Sequence, residues 1–271
     1  MSTNHTLEIL DSPVALVVAH PGHELRVWRW LELLRPEVLV VTNGSGREGV
    51  SRIATTGRLI KEAGARRGRL FGQLADRELY QAVLMGDAEL FGRLTKFLAD
   101  ELTRLRIRTV LGDAAEGIIM AHDLLREVRR AAVAIAEQRL GWRIAQYEFP
   151  LDSHPAAGAC GAASDRRTLQ LTTAELARKL HIAGRYQEIA TLVQTNLENY
   201  GAEAFGLECL FPCVEDSSTD AFVAEFTIER PQYEIHGEDM VRQGRYTEVI
   251  RYRTHVLPLV ESVRALAWSA V

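Results

Sequence analysis

The chain has 271 residues, of which 47% are hydrophobic and 25% are charged, and its formal net charge at pH 7 is −4. These values are ordinary for a globular protein with one large domain, and the acidic balance gives no reason to expect a nucleic-acid partner. We expect no disulfides, because the chain has an odd number of cysteines, three. Residues 1–12 do not resemble a secretory signal, and no apolar run approaches the roughly 20 residues that span a bilayer. We therefore expect a cytoplasmic protein without a membrane partner.

The first predicted strand is the apolar run that begins at Val14, and it ends in the segment His20-Pro-Gly-His-Glu24. A stretch with helical periodicity follows over 25–34. In open α/β sheets, ligands bind in the loops that follow the carboxyl ends of the strands. His20 and His23 stand three residues apart at such a point, and this spacing allows both side chains to converge on one ion.

Apolar runs at 38–42 and 109–112 are also predicted strands, each followed by a loop and then by a helical stretch. The first of these loops, 43–49, is rich in glycine but lacks the spacing of a phosphate-binding or dinucleotide-binding motif, so we interpret it as a turn near the pocket. The other elements predicted before residue 150 are helices at 55–66, 87–106 and 122–138, strands at 69–71 and 143–149, and a polar loop around Asp76.

Strand and helix alternate through the first 150 residues, which predicts a three-layer, Rossmann-like α/β fold with a mainly parallel sheet. Local arginine clusters such as Arg129-Arg130 are typical of solvated helix faces. Beyond residue 150 we predict a small-residue loop at 156–164, a helix at 173–200, a strand at 222–229 and a helix from Leu257. The chain is interpreted as one domain, 1–271, with a core at about 13–190 and an elaborated C-terminal region at about 191–271.

Three histidines are the candidate metal ligands. His122 begins the helix that follows the third strand, so the topology places it at the same sheet edge as His20 and His23. Three neutral imidazoles with one open position are typical of a catalytic zinc site, where the metal lowers the pKa of bound water to about 7. The alternative is that each histidine only caps a helix or bonds a backbone group.

The segment Ala19-His-Pro-Gly-His-Glu24 resembles the Ala-His-Pro-Asp-Asp-Glu signature of the PIG-L/LmbE-like zinc-dependent N-deacetylases. Val40-Val-Thr-Asn-Gly44 resembles that family's second strand and turn, and the strand 108–113 followed by His122 resembles its third ligand region. The resemblance covers about residues 13–190. It implies a Zn²⁺ cofactor and a small-molecule substrate, an N-acylated amino sugar or conjugate.

Within this resemblance His20, His23 and His122 take the places of the zinc ligands, with His23 where the family has an aspartate. Gly22 stands where the family has its general base, and a general base contributes typically 10²–10⁴-fold to the rate. Asp113 and Glu116, in the loop after the third strand, are the predicted replacements, with helix capping and turn formation as the alternative.

Three further features accompany the motif. Glu24 is predicted to orient a ligand imidazole. Tyr186 stands where the family carries a histidine that binds the oxyanion, and it is interpreted either as a hydrogen-bond donor or as a packed residue. The polar stretch around His236, in 233–239, is interpreted as a solvated face or as a contact for substrate hydroxyls.

The leading hypothesis is a zinc hydrolase that removes an acetyl or other acyl group from the nitrogen of a sugar-like small molecule. One alternative is a non-catalytic metal- or ligand-binding protein that lost its base with Gly22. Another is a different metal-assisted hydrolysis on the same scaffold. The sequence makes no prediction of the particular substrate or of the oligomeric state.

Overall fold

The computed structural model describes residues 10–46, 49–157, 166–213 and 230–268. The predicted strand 222–229 and Cys160 lie outside these residues. The strands are β1 Val14–Val18, β2 Glu37–Thr42, β3 Arg66–Leu74, β4 Thr109–Asp113, β5 Ala145–Phe149, β6 Arg167–Gln170 and β7 Leu207–Pro212. They form one seven-stranded sheet in the order β3-β2-β1-β4-β5-β7-β6. The first five strands in this order are parallel, and β7 is antiparallel to both β5 and β6.

The described helices are α1 Trp28–Leu34, α2 Ile53–Glu62, α3 Asp76–Leu84, α4 Ala88–Arg104, α5 Met120–Leu140, α6 Thr173–Gly184, α7 Ala190–Phe205, α8 Gln232–Arg242 and α9 Leu257–Trp268. A 3-10 turn, His23–Val27, precedes α1, and another, Gln187–Ile189, precedes α7. A π-helical turn, Tyr252–Val256, leads into α9. No helix in the described part of the chain combines the length and apolar character needed to cross a bilayer.

Helices cover both faces of the sheet because its central strands are apolar on both sides. Ala15 and Val17 pack in one hydrophobic cluster with α3, α4, α5 and α9. Leu16 and Val18 point the other way and pack with α1, α2 and α6. The predicted three-layer α/β fold with a mainly parallel sheet is therefore confirmed.

The predicted helix 173–200 is wrong, because the chain forms α6 and α7 with a break between them. At the break Tyr186 and Ile189 turn inward and are buried in the cluster that includes α1 and α2. Their spacing of three residues is also the spacing of one face of a continuous helix. Periodicity therefore did not reveal the break, although Gly184, the last residue of α6, has a low helix propensity.

The sequence analysis did not predict strand β7, which contains a buried carboxylate. Glu208 is 1% exposed, and its side chain accepts hydrogen bonds from the backbone N–H groups of Arg29 and Trp30 at the start of α1. Lys179 donates to it at 2.7 Å. A glutamate in a short apolar run reads as an exposed residue, but here an ion pair and a helix terminus compensate its burial.

The interpretation of Arg129 as part of a solvated helix face is also wrong. Its side chain is 2% exposed, and its guanidinium donates to Oε1 of Glu148 at 2.7 Å and to the backbone oxygen of Asp113 at 3.1 Å. A Cβ atom at position 112 would lie 1.8 Å from Nη1 of Arg129, so Gly112 leaves the space that the guanidinium occupies.

Candidate metal centre

The predicted ligands meet at the carboxyl edge of the sheet, where the strand order changes direction between β1 and β4. His20 and His23 follow β1, and His122 lies in the first turn of α5, which follows β4. A crevice at such a reversal is where open α/β sheets bind ligands. The fold thus brings together three histidines that are up to about one hundred residues apart in the sequence.

The three imidazole rings touch one another. Ring centroids are 5.3 Å apart for His20 and His23, 5.4 Å for His20 and His122, and 4.7 Å for His23 and His122. Three imidazoles on one tetrahedral ion, with metal–nitrogen bonds of about 2.0–2.1 Å, have centroids about 5 Å apart. The spacing of the rings therefore fits a shared ion.

His20 is held by groups from the ends of two neighbouring strands. Its Nδ1 lies 2.7 Å from Oγ1 of Thr42, the last residue of β2, and 3.1 Å from Oδ1 of Asp76, which follows β3. Burial lowers the pKa of His20, although its bond to Asp76 acts in the opposite direction. The other oxygen of Asp76 accepts from the backbone N–H of Gly46 at 2.5 Å.

His23 is held by the carboxylate at the end of β4. Its Nδ1 donates to Oδ2 of Asp113 at 2.9 Å, and the same oxygen accepts from the backbone N–H of Ala19 at 2.7 Å. Burial alone would lower the pKa of His23, but the charge and hydrogen bond of Asp113 outweigh it and raise the pKa. Asp113 therefore ties the turn after β1 to the end of β4.

His122 has the least exposed side chain of the three, at 7% against 13% for His20 and 14% for His23. Burial lowers its pKa well below the usual range, and the neighbouring His23 and His20 lower it further. Its Nδ1 lies 3.6 Å from Oδ2 of Asp152, in the loop after β5. Burial, reinforced by the charge of Glu116, raises the pKa of Asp152 to about 6.

The two predicted base candidates have different surroundings. Asp113 uses Oδ2 for His23 and Ala19, while its Oδ1 is buried and forms no hydrogen bond with any described residue. Both oxygens of Glu116 accept backbone N–H groups from the loop 151–153. Asp113 thus has an oxygen available, whereas Glu116 is occupied with the loop.

The replaced position, Gly22, has a backbone conformation that excludes most side chains. Its φ is 107°, in the left-handed region, and a Cβ atom there would lie 3.0 Å from Cδ1 of Ile189. The backbone N–H of Gly22 donates to the buried Glu24, which also accepts from Oγ1 of Thr56. An aspartate at position 22 would therefore be strained in this fold.

Tyr186 is packed below this turn. Its hydroxyl lies 2.6 Å from Oγ1 of Thr56, and the residue has no exposed surface. Burial and the charge of Glu24 raise the pKa of the phenol. Tyr186, Thr56 and Glu24 form a chain of hydrogen bonds that ends at the backbone N–H of Gly22, so they support the turn that carries His20 and His23.

The polar C-terminal stretch forms ion pairs within its own region. Glu234 accepts from the backbone N–H of Tyr252, and both Glu234 and Glu238 pair with Arg251. Glu234 is buried, so this part of the stretch is packed through ion pairs rather than solvated. Cys209 and Cys213 are free thiols, and Cys209 is buried in β7.

Sequence reasoning missed three residues that contact the histidines: Thr42, Asp76 and Asp152. All three lie at or just past the carboxyl end of a parallel strand, as Asp113 does. The signal that identified Asp113 was therefore present at the other strand ends as well, and it needed only the topology to show that these ends are adjacent.

The imidazole ligands and the spacing of their rings suit a metal ion, but the ring nitrogens do not form a complete coordination site. Among residues in the described ranges, no three His, Cys, Asp or Glu side chains are arranged to hold an ion as they stand. The rings instead meet edge to face, at 61–88°. Binding of an ion would require the rings to turn about their side-chain bonds.

No protein-family model and no curated protein matches the chain. Solved structures with a similar fold include a deacetylase of the teicoplanin biosynthesis pathway, 14% identical with a TM-score of 0.49, covering 74% of this chain and 100% of that one. A triple mutant of a deacetylase involved in that pathway is 11% identical with a TM-score of 0.46, covering 76% and 100%. The zinc-inhibited form of teicoplanin deacetylase is 11% identical with a TM-score of 0.41, covering 74% and 100%. At these values the similarity carries no conclusion about activity.

Proposed function

We propose that this protein is a zinc-dependent hydrolase that removes an acyl group, such as acetyl, from the nitrogen of a sugar-like small molecule. The observation that carries the proposal is the cluster of three imidazoles at the reversal of strand order, with His20 and His23 each held at Nδ1 by an aspartate. This is the usual environment of zinc-binding histidines, in which a carboxylate fixes the ring and leaves Nε2 for the metal.

His20, His23 and His122 would hold the ion. A bound zinc ion acts as a Lewis acid and lowers the pKa of water to about 7. The carboxylates of Asp76 and Asp113 keep a proton on Nδ1 of their partner histidines, which leaves Nε2 as the nitrogen with a free lone pair. Burial lowers the pKa of His20 and His122, which favours the neutral form in which imidazole binds a metal.

An amide hydrolase also needs a group that accepts a proton from the attacking water. We propose Oδ1 of Asp113 for this role, because its carboxyl group contacts the cluster through His23 and this oxygen forms no hydrogen bond with another described residue. Glu116, the second candidate from the sequence, would first have to release the backbone groups that it binds. It is therefore the weaker choice.

Metal analysis and an activity assay test the proposal. Purified protein should contain about one equivalent of zinc, and His20→Ala and His122→Ala should each abolish it. His181→Ala, which changes an exposed histidine on α6, is the matched control and should retain the metal. Full zinc content in both cluster variants would exclude these ligands.

The activity assay uses a panel of N-acetylated amino sugars with added zinc, and it measures released acetate. Turnover that depends on His20 and His122 supports the hydrolase. Saturable binding of a panel member without release of acetate would instead support the alternative of a binding protein that lost its base at Gly22. Zinc content with neither binding nor turnover across the panel would contradict the proposed substrate class.

A further inference from the structure

The loop that follows β5 is held through its backbone by a glutamate from another part of the chain. Oε2 of Glu116 accepts from the N–H groups of Leu151 at 2.7 Å and Asp152 at 3.0 Å, and Oε1 accepts from the N–H of Ser153 at 2.7 Å. Glu116 lies in the loop after β4. Three successive backbone donors in an irregular loop are thus satisfied by one carboxylate.

The carbonyl groups of the same loop are held from two other elements. Arg26 donates to the oxygen of Pro150 at 3.2 Å and to that of Ser153 at 2.6 Å. The hydroxyl of Tyr200, on α7, donates to the oxygen of Asp152 at 2.7 Å. Arg26 stands in the 3-10 turn that begins with His23, so the turn after β1 and the loop after β5 are directly linked.

These contacts fix the position of Asp152. Its Oδ2 lies 3.6 Å from Nδ1 of His122. Both atoms are buried, and neither forms a hydrogen bond with a group in the described ranges. A buried donor and a buried acceptor that face each other across this distance complement each other, and each would otherwise lose its hydrogen bonding with water at a cost.

We propose that Asp152 is a positioning residue that fixes the proton of His122 on Nδ1, and that Arg26, Glu116 and Tyr200 form a clamp that holds Asp152 in place. The group that bonds one ring nitrogen of a histidine determines which nitrogen is free. With a carboxylate at Nδ1, the free nitrogen of His122 is Nε2. The role of Asp152 in metal binding rests on the proposed function, but the pairing of Asp152 with His122 does not.

Nuclear magnetic resonance of the metal-free protein tests the pairing directly. The ¹⁵N shifts of the histidine rings should show His122 as a neutral ring protonated at Nδ1. Asp152→Ala should remove this preference for His122, and the signal of His20, whose Nδ1 faces Thr42 and Asp76, is the internal control. Asp152→Asn, whose amide oxygen still accepts a proton at Nδ1, should restore it. An unchanged His122 tautomer in Asp152→Ala would overturn the proposal.

The clamp is tested by a variant that removes one hydroxyl group. Tyr200→Phe should lower the Nδ1–H population of His122, and Tyr246→Phe, which changes an exposed tyrosine, should not. If Asp152→Ala does not fold, Asp152→Asn and Tyr200→Phe decide the question. An unchanged tautomer in Tyr200→Phe overturns the clamp.

Zinc affinity, measured by competition with a chromophoric chelator, provides the second readout. We expect affinity about 10- to 100-fold weaker in Asp152→Ala, and up to about tenfold weaker in Tyr200→Phe. Zinc affinity equal to wild type in Asp152→Ala would contradict the positioning role. If the wild-type protein binds no zinc but the tautomer responds to Asp152 as expected, the pairing stands and the proposed metal function falls.

Discussion

Each histidine of the cluster has its Nδ1 turned towards an aspartate from a different strand end. The pairs are His20 with Asp76 after β3, His23 with Asp113 on β4, and His122 with Asp152 after β5. With Thr42 at the end of β2, all five parallel strands contribute to a cluster with three rings, because the parallel arrangement puts their carboxyl ends on one edge.

Asp113 has two proposed roles, holding His23 and accepting a proton, and a comparison with Asp76, which only holds His20, separates them. Asp113→Asn and Asp76→Asn should both weaken zinc binding about 10- to 100-fold, because each carboxylate orients one imidazole. At saturating zinc, Asp76→Asn should recover most of its activity. Asp113→Asn should remain at least about 100-fold slower, since it also lacks the proton acceptor. Zinc affinity and the rate at saturating zinc are measured for each variant.

Equal recovery of both variants at saturating zinc would remove the base role from Asp113 and leave it as a group that holds His23. Gly22→Asp is not a suitable rescue experiment. At φ 107° an aspartate would strain the turn that carries His20 and His23, so loss of metal would not report on the base.

The sequence was sufficient to find the histidines but not their partners. His20 and His23 stand out because two imidazoles follow an apolar strand, and His122 because it begins a helix after another. Asp76 begins α3, in a stretch predicted as a polar loop, and Asp152 lies in the loop after β5; in such stretches aspartates usually form turns or helix ends. Only the order of strands in the sheet shows that both positions adjoin the cluster.

At the scale of elements, α5 is anchored to the sheet by charged groups rather than by apolar side chains alone. Arg126 and Arg129 on α5 both donate to Oε1 of Glu148 on β5, at 2.6 and 2.7 Å. Burial alone would raise the pKa of Glu148, but the two guanidinium groups outweigh it and lower the pKa to about 2. The helix that carries His122 therefore depends on a buried ion pair.

Glu148→Gln tests this anchor. Removing a charge that two buried guanidinium groups face should reduce the free energy of unfolding at pH 7 by about 3 kcal/mol. Because the pKa of Glu148 is lowered in the folded state, its contribution is present above about pH 4.5 and is lost as the pH falls towards 2. The difference between variant and wild type should therefore shrink over that range, as measured by urea denaturation at a series of pH values.

The exposed pair of Glu62 and Arg185 provides the control. Glu62→Gln should change the stability little at any pH, because water and salt screen such a pair. A difference for Glu148→Gln that stays constant from pH 7 to pH 3 would contradict the anchor. The sequence predicted α5 but not its buried arginines, since arginine next to acidic residues has the same pattern on a solvated face.

At the scale of the whole molecule, the C-terminal part of the chain contributes to the central sheet and core. β7 lies between β5 and β6, and α9 packs against α4 and α5 through Leu259, Val260 and Val263. Alternating strands and helices predicted the parallel part of the sheet well. The antiparallel edge could not be predicted in the same way, because short strands with one charged residue do not have a distinctive period.

Leu259→Ala tests whether α9 and the sheet unfold as one unit. Leu259 is 2% exposed, and its truncation should reduce the free energy of unfolding by about 2–5 kcal/mol. Leu192→Ala, on α7 at 55% exposure, should change it by no more than about 0.5 kcal/mol. If the helix belongs to the same cooperative unit, the far-ultraviolet and near-ultraviolet circular dichroism transitions of Leu259→Ala shift together to lower urea concentration. A shift in only a fraction of the far-ultraviolet helical signal, with the rest of the transition unchanged, would show instead that α9 unfolds separately from the sheet that holds the histidines.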